Sequence, residues 1–232
     1  MPLEVRRRFY EALDRTYPDW SNTYGEVNPP TELLRYAATL PRASRVLEIG
    51  AGGGFTLEAL RALGFNHLTG TDLTATTVAA MRARLPDLPL AAADAEALPF
   101  AGHSFDLLLS SDLIEHLPDL ERHLAEAARV LGPGGRYLIK TPNRLTAEAY
   151  YRLRGIYDAY FWHPSMCSPG ELRAALARHG FETRFLPAPR LTPAQCRKIP
   201  LRRLRPLAAR LPLGRLPRRL RPHLEVVATL TR

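Results

Sequence analysis

The chain of 232 residues is poor in cysteine and has no long apolar run. Its two cysteines, Cys167 and Cys196, lack paired spacing, which excludes a disulfide framework and a cysteine-based zinc site and favours a cytoplasmic location. No apolar run approaches the roughly 20 residues that a membrane span needs. The basic start of the chain, Met1–Arg8, is followed by no apolar stretch, so no secretory signal is predicted.

Acidic residues are absent between Thr183 and Leu224, where twelve residues are Lys or Arg. Since 20 basic and 23 acidic residues remain elsewhere, the net charge of +9 belongs to this one segment. Frequent prolines in residues 187–222 exclude a long helix there. Three interpretations stay open for this segment: a solvated elaboration without a partner, a surface that docks on anionic lipid, or a site for RNA phosphates.

Strand and helix patterns alternate from Arg45 to about Leu186, which is typical of a parallel α/β sheet. The predicted strands are Arg45–Ile49, His67–Asp72, Leu90–Ala93, Phe105–Ser110, Arg136–Thr141, Glu182–Leu186 and His223–Thr231. The predicted helices are 31–40 with Thr31 as N-cap, Phe55–Ala62, 75–84 capped by Thr74, Asp119–Leu131, and 169–179 with Ser168 and Glu171 in a capping box.

We predict a single domain over residues 1–232. Its parts are cap helices at 1–44, a core at 45–186 that contains an insertion at about 143–167, a basic Pro/Arg-rich insertion at 187–222, and a final strand at 223–232.

A glycine-rich turn follows the first predicted strand, in the run Val46-Leu47-Glu48-Ile49-Gly50-Ala51-Gly52-Gly53-Gly54-Phe55. Such a turn brings bare backbone close to a ligand at the start of a helix, although a tight turn without a ligand is the alternative. A nicotinamide-binding turn needs a third small residue where Phe55 stands, or Leu57 in the shifted frame. The sequence therefore disfavours a nicotinamide cofactor.

Acidic residues stand at the ends of three successive predicted strands: Glu48, Asp72 and Asp94. The carboxyl ends of parallel strands meet at one edge of the sheet, where ligands bind. Asp72 lies about 20 residues after the glycine turn, where a carboxylate with two acceptor oxygens can hold both hydroxyls of a ribose. Solvated carboxylates or helix caps are the alternative.

These features together resemble the class I S-adenosylmethionine (SAM) methyltransferases. The matching residues are the Glu-x-Gly-x-Gly-x-Gly turn, Asp72, Ala93–Phe100, Phe105–Ser111 and Leu131–Gly135. The resemblance implies a Rossmann-like, seven-stranded, mostly parallel sheet with an antiparallel last strand and helices on both faces. It implies that Asp94 and Ala95 contact the adenine and that Glu48 organises the loop near the methionine part. The implied SAM contacts are Glu48, Gly50, Ala51, Gly52, Gly54, Asp72, Leu73, Asp94, Ala95, Ser110 and Ser111.

The run Asp112-Leu113-Ile114-Glu115-His116 carries candidate catalytic groups. Its i, i+3, i+4 spacing predicts that Asp112, Glu115 and His116 share one helical face. It resembles Glu-x-x-Glu-His of ubiquinone-pathway O-methyltransferases and small-RNA ribose methyltransferases, where that motif binds a divalent cation with a downstream histidine; here His163 stands in that neighbourhood. The shorter Asp112 departs from the pattern, so we predict no metal. Three alternatives stay open: a metal-free polar patch, His116 or His163 as a base with Asp112 beside it, or a metal on these four residues.

Aromatic residues flank the core on both sides. They are Phe9, Tyr10, Tyr17, Trp20 and Tyr24 before it, and Tyr150, Tyr151, Tyr157, Tyr160, Phe161 and Trp162 in the insertion. In the family such an N-terminal segment caps the active site, with ordinary helix packing as the alternative. The aromatic density favours an apolar or ring-bearing substrate.

The predicted function is transfer of a methyl group from SAM to oxygen of a small or lipid-like acceptor by direct in-line displacement, with nitrogen and carbon as alternatives. An RNA methyltransferase that uses the basic segment is the first alternative function. A non-enzymatic SAM-binding protein is the second.

Overall fold

The computed structural model describes residues 3–16, 28–157, 159–187, 190–197, 199, 202–210 and 212–231. Seven strands form one sheet in the order β3-β2-β1-β4-β5-β7-β6. They are β1 Arg45–Ile49, β2 His67–Asp72, β3 Leu90–Ala92, β4 Phe105–Ser111, β5 Leu131–Pro142, β6 Phe181–Phe185 and β7 His223–Leu230. The first five strands pair in parallel, while β7 runs antiparallel to both β5 and β6. This sheet confirms the predicted fold class.

Helices cover both faces of the sheet. They are α1 Leu3–Thr16, α2 Thr31–Ala37, α3 Phe55–Ala62, α4 Ala75–Arg84, α5 Leu120–Val130, α6 Arg144–Arg154, α7 Ala159–Trp162, α8 Pro169–Arg178, α9 Pro193–Arg197 and α10 Arg205–Arg210. One apolar cluster joins the sheet to α5 and α8, and a second joins it to α2, α3 and α4. Because both faces are covered, the central strands read as continuous apolar runs instead of alternating patterns.

Local signals fix most element ends as predicted. Thr74 caps α4 by accepting a hydrogen bond from the Thr77 N–H at 3.1 Å. The capping box that opens α8 is formed by Ser168 and Glu171. Gly180, with φ of 80°, follows α8.

The predicted start and end of α2 need correction. Pro30 is the N-cap, because its carbonyl already accepts from Leu34 N–H at 3.0 Å, and Thr31 is the first helical residue. The helix ends at Ala37 instead of Leu40, since the N–H groups of Thr39 and Leu40 bond to carbonyls three residues back. The chain then reaches Pro41, which cannot donate the next helical hydrogen bond.

The predicted turn Leu131–Gly135 lies within β5. The pairing jumps from Phe105 with Leu131 to Leu107 with Arg136, so the residues between are held as a bulge. A Cβ on Gly135 would meet the Gly132 carbonyl oxygen at 2.8 Å. Glycine is therefore required for the chain to pass close to itself before β5 continues.

Two additions leave the carboxyl edge of the sheet. The insertion with α6 and α7 follows the end of β5, and the basic segment with α9 and α10 connects the end of β6 to the start of β7. Pro142 and His223 are paired, so both additions begin or end at the same place. The basic segment contains only short helical turns, as its prolines predict. None of the helices in the described ranges has the length and apolar character that crossing a bilayer requires.

Candidate functional site

The loop between β1 and α3 is built from glycines in left-handed conformations. Gly50, Gly52 and Gly54 have φ of 69°, 52° and 79°. A Cβ on Gly50 would lie 2.8 Å from Leu113 Cδ1, just beyond β4. Glycine therefore satisfies both the backbone conformation and the close approach at Gly50. The loop brings backbone without side chains to the carboxyl edge of the sheet.

Asp72, at the end of β2, ties this loop in place. Its Oδ2 accepts from the Gly52 N–H at 2.9 Å, and its Oδ1 accepts from the Leu73 N–H at 2.7 Å. Burial raises the pKa of Asp72, while these backbone hydrogen bonds act to lower it. Each carboxylate oxygen can accept more than one hydrogen bond, so Asp72 retains acceptor capacity for a ligand hydroxyl.

Glu48, at position four of β1, is buried at the base of the loop with 2% exposure. Its carboxyl group takes hydrogen bonds from the Thr56 side chain and the Leu57 backbone, at the start of α3. Its Oε2 is buried without a hydrogen-bond partner among the described residues. Burial raises the pKa of Glu48 to about 8. An orphaned carboxyl oxygen beside a loop of bare backbone fits a ligand that carries a cationic donor.

Asp94 lies beyond β3 and is held by both backbone and α1. Its Oδ1 accepts from the Glu96 N–H at 3.1 Å. The buried Arg6 of α1 places Nη2 3.2 Å from Asp94 Oδ2 and 3.4 Å from Glu96 Oε2. The acid that the sequence assigns to adenine therefore has an arginine against it in this structure.

Helix α1 crosses the carboxyl edge of the sheet. Besides the Arg6 ion pair, Asp14 Oδ2 lies 2.7 Å from Thr77 Oγ1 at the start of α4. At the other side, the Phe9 ring stacks on Trp162 with a centroid distance of 4.2 Å. These contacts hold α1 at the edge where the cap was predicted, and the cap over a bound substrate stays a prediction. The other N-terminal aromatic residues, Tyr17, Trp20 and Tyr24, lie outside the described residues.

Asp112 does not share a helical face with Glu115 and His116, so that expectation is wrong. Asp112 has φ of 54°, and only Ile114–His116 forms a helical turn, of the 3₁₀ type. The carboxylate instead lies 3.1 Å from Lys140 Nζ and 3.4 Å from His223 Nε2. Burial acts to raise the pKa of Asp112, but Lys140 and His223 outweigh it and hold the pKa below its usual range.

Glu115 and His116 belong to this 3₁₀ turn. Glu115 is buried, accepts from Thr141 Oγ1 at 2.9 Å, and has its pKa raised to about 8 by burial and by Asp112. His116 Nδ1 lies 2.9 Å from the carbonyl oxygen of Trp162. Burial, assisted by His163, lowers the pKa of His116 to about 4, so the ring is neutral at pH 7. Since a carbonyl can only accept, Nδ1 carries the proton and Nε2 carries the lone pair.

Rings from several elements surround His116. The His163 ring centroid lies 4.7 Å away and that of Tyr10, on α1, lies 6.4 Å away. Tyr151 stacks on His163 with a centroid distance of 6.0 Å. The structure thus brings both predicted histidines together with aromatic residues from α1 and the insertion.

Comparisons with known proteins agree with this geometry. A family model described as a methyltransferase domain matches residues 47–139, which include the glycine loop, Asp72 and Asp94. A ubiquinone biosynthesis O-methyltransferase of Brucella anthropi is 29% identical over 200 residues, which are 73% of this chain and 80% of that protein. A Mycolicibacterium smegmatis protein named as an S-adenosylmethionine-dependent methyltransferase is 37% identical over 101 residues.

Residues 47–139 therefore form a methyltransferase domain, and the chain is a SAM-dependent methyltransferase. Its cofactor is SAM. The match to the M. smegmatis protein covers 44% of this methyltransferase and 39% of that protein's length. A solved methyltransferase of Haloferax volcanii, in complex with the Trm112 methyltransferase activator, has a TM-score of 0.69 and 21% identity over 93% of this chain and 96% of that one. At this identity the likeness concerns the fold alone.

A chain of buried hydrogen bonds in the methyltransferase links the loop after β3, at Ala95, to β4. His123 Nδ1 lies 2.8 Å from the Ala95 carbonyl oxygen, His123 Nε2 lies 2.7 Å from Tyr137 Oη, and that atom lies 2.8 Å from Ser110 Oγ. Because the carbonyl only accepts and burial lowers the pKa of His123 to about 4, the neutral ring accepts from Tyr137. Ser110 then donates to Tyr137 and keeps its oxygen lone pairs.

Several residues at the site of the methyltransferase were missed by sequence reasoning. One signal could have identified His123: it is a polar side chain on the apolar face of α5, which buries Leu124, Ala127 and Val130. Arg6 and Lys140 gave no local signal, because their partners are 88 and 28 residues away in sequence.

The donor set around Asp112 argues against the metal alternative. Among the residues that the structure describes, no group of three or more His, Cys, Asp or Glu side chains is arranged to hold an ion. Lys140 already provides a positive charge at the Asp112 carboxylate. A divalent cation there would be repelled by the ammonium group.

Proposed function

We propose that this methyltransferase methylates an oxygen atom of a small or lipid-like acceptor, with His116 as the general base. The observation that carries the proposal is the neutral His116 ring, whose Nδ1 is held by the Trp162 carbonyl and whose Nε2 has the lone pair. The aromatic residues around it favour a ring-bearing or apolar acceptor. The relative named ubiquinone biosynthesis O-methyltransferase supports oxygen as the acceptor atom.

The cofactor supplies an electrophilic methyl group on a sulfonium. We assign its ammonium group to the orphaned Glu48 Oε2, its ribose hydroxyls to Asp72, and its adenine amine to Asp94. When SAM binds, Arg6 would either share the Asp94 carboxylate with that amine or move away from it. The other predicted contacts stay predictions, namely Gly50, Ala51, Gly52, Gly54, Leu73, Ala95, Ser110 and Ser111.

The chain's own part in the transfer is to position the acceptor and take its proton. As the acceptor oxygen bonds to the methyl group and the methyl–sulfur bond breaks, Nε2 of His116 would accept the hydroxyl proton. The electron pair of the broken bond stays with sulfur, so the neutral thioether leaves without a proton. Glu115 Oε1, 3.9 Å from Nε2, lies where its carboxylate form would stabilise the imidazolium. We assign His163 and Tyr151 to the wall of the acceptor pocket. Asp112 holds Lys140 and His223, and its charge also raises the pKa of Glu115.

The remaining alternatives are weaker. The methyltransferase domain does not favour the non-enzymatic interpretation. The exposed arginines of the basic segment would suit RNA phosphates, but the exposed leucines among them would not. The cytoplasmic location stays a prediction.

Methyl transfer from labelled SAM tests the proposed function. A phenol with and without a polyprenyl tail, the matching aniline, and an RNA oligonucleotide would be compared as acceptors, with and without EDTA. We expect label on the phenol oxygen, and no loss of rate with EDTA. Label on the aniline alone, or on RNA alone, would contradict the proposal.

We predict that SAM binding releases a proton from Glu48. Its pKa of about 8 keeps the carboxyl group largely protonated at pH 7, and a cationic ligand beside it lowers that pKa. Affinity should therefore rise with pH through neutrality. Calorimetric titration in buffers of different ionisation enthalpy measures the protons released.

The matched variants for this measurement are Glu48→Gln and Glu58→Gln. Glu58 lies on α3 and pairs with Arg84 at the surface, so its change should leave proton release as in the wild type. Glu48→Gln should remove it. Equal release by the wild type and Glu48→Gln would refute the assignment of Glu48.

A further inference from the structure

Exposed apolar side chains of this protein are concentrated in two segments. Ten large apolar residues are exposed in the described part of the chain, and eight of them lie between residues 145 and 220. Leu153 and Phe161, in the insertion, are 83% and 60% exposed. Leu207 and Leu220, in the basic segment, are 64% and 53% exposed. Exposed apolar groups this concentrated indicate an interaction surface.

The two segments are joined to each other. Asn143 Nδ2, before α6, donates to the Arg221 carbonyl at 2.8 Å and lies 3.2 Å from the Arg219 carbonyl. The Arg218 guanidinium lies over the Phe185 ring of β6, 5.1 Å from its centroid. These contacts join the start of the insertion to the end of the basic segment, and the exposed residues of 144–162 and 202–221 are called here the docking face.

The basic segment of the docking face has a strong positive charge that no ion pair among the described residues neutralises. No acidic residue occurs between Thr183 and Leu224. Among the described residues, the ion pairs include no arginine of 190–221, whereas arginines of the core commonly pair with acids. Arg202, Arg203, Arg215 and Arg219 are exposed.

The docking face also lies at the edge of the sheet that carries the site. β5 and β6 end at the carboxyl edge, and β7 begins there. The insertion that carries Leu153 and Phe161 also carries Tyr151, Trp162 and His163, which surround His116. A partner on this face would sit beside the entrance for the acceptor.

We propose that the docking face binds the surface of an anionic lipid bilayer and that the acceptor reaches His116 from that bilayer. Arginines beside exposed leucines and aromatic rings match a surface that meets phosphate headgroups and buries apolar side chains at the acyl boundary. RNA phosphates would satisfy the arginines but leave the leucines exposed. A second copy of the same face would be repelled by its like charge. The source of the acceptor rests on the proposed function, whereas the docking itself does not.

Vesicle sedimentation tests the proposal. The full chain would be mixed with phosphatidylcholine vesicles, with and without phosphatidylglycerol, and with a single-stranded RNA as competitor. We expect binding to the anionic vesicles alone, weakened by salt and displaced by RNA only in part, because RNA meets the arginines but not the leucines. Equal binding to both vesicles, no binding, or complete displacement by an equal phosphate concentration of RNA would overturn the docking proposal while leaving methyl transfer to a soluble phenol intact.

Charge variants locate the surface. Arg215→Gln with Arg219→Gln should weaken vesicle binding roughly 30-fold, or about 2 kcal/mol at about 1.4 kcal/mol per tenfold change. The matched control is Arg61→Gln with Arg136→Gln. Arg61 lies in the last turn of α3 and Arg136 lies in the first half of β5, both toward the opposite edge of the sheet. The control should bind as the wild type does. Equal losses in both double variants would overturn the proposal.

An apolar variant tests the composite nature of the docking face. Leu153→Ser should weaken binding to anionic vesicles without changing SAM affinity or the rate on a soluble phenol. Unchanged vesicle binding by Leu153→Ser would overturn the part of the docking face assigned to the insertion.

Discussion

His116→Asn should lower kcat by about 10²- to 10⁴-fold while leaving the Kd for SAM nearly unchanged. Asparagine can still donate a hydrogen bond toward the Trp162 carbonyl, but it has no group that takes a proton at neutral pH. The variant therefore separates loss of the proton acceptor from loss of the hydrogen bond to Trp162. Initial rates with a saturating phenol, together with calorimetric SAM affinity, separate the two effects.

The matched control is His103→Asn. His103 Nδ1 also lies 2.9 Å from a backbone carbonyl, that of Leu131, but at the opposite edge of the sheet. Its φ of 57° suits asparagine, so the fold should tolerate the change. His103→Asn should retain the wild-type rate. A His116→Asn enzyme with full kcat would rule out His116 as the base, and a larger loss in His163→Asn would transfer that role to His163.

The pH dependence of kcat/KM for the acceptor, measured at saturating SAM so that Glu48 does not contribute, tests the same residue independently. A base acts in its neutral form, so the rate falls as pH drops through the pKa of His116. Because burial lowers this pKa to about 4, the acid limb should lie well below the ordinary histidine value of about 6.5. An acid limb at 6.5 or above would mean that an ordinary or stabilised imidazolium controls the rate.

Much of the fold follows from local sequence signals, because these signals act over a few residues. Thr74 and Ser168 mark helix starts through hydrogen bonds of their own side chains, and Gly180 marks a helix end because it has no side chain to oppose a left-handed backbone. The three acids at strand ends could be placed at one edge because parallel strands share a direction.

The parts that could not be predicted depend on distant contacts or on backbone geometry. Asp112 fits a helical spacing, yet its contacts with Lys140 and His223 come from two other strands and accompany a left-handed backbone. The pairing of Arg6 with Asp94 requires α1 to cross the sheet edge, which no pattern in α1 specifies. The bulge in β5 was predicted to be a turn, because glycine and proline are frequent in turns and in bulges alike.

Asp72→Ala should weaken SAM binding by at least tenfold, which is about 1.4 kcal/mol. The variant removes the proposed acceptor for the ribose hydroxyls. It also frees the N–H groups of Gly52 and Leu73, which the carboxylate now holds at 2.9 and 2.7 Å, so the glycine loop loses its tie to β2. Both losses act on the same ligand, and S-adenosylhomocysteine should weaken in parallel because it has the same ribose.

Asp106→Ala is the matched control, because it removes a carboxylate from β4 that pairs with Arg45 at 2.8 Å on the opposite edge. It should leave the Kd for SAM unchanged. Circular dichroism and thermal unfolding of both variants would separate lost binding from lost fold. An Asp72→Ala protein that binds SAM as tightly as the wild type would refute the assignment of the ribose to Asp72. Among the described residues, no other acid at the carboxyl edge contacts both the glycine loop and the end of β2. Glu48 and Asp94 would then have to hold the cofactor without a carboxylate at the ribose.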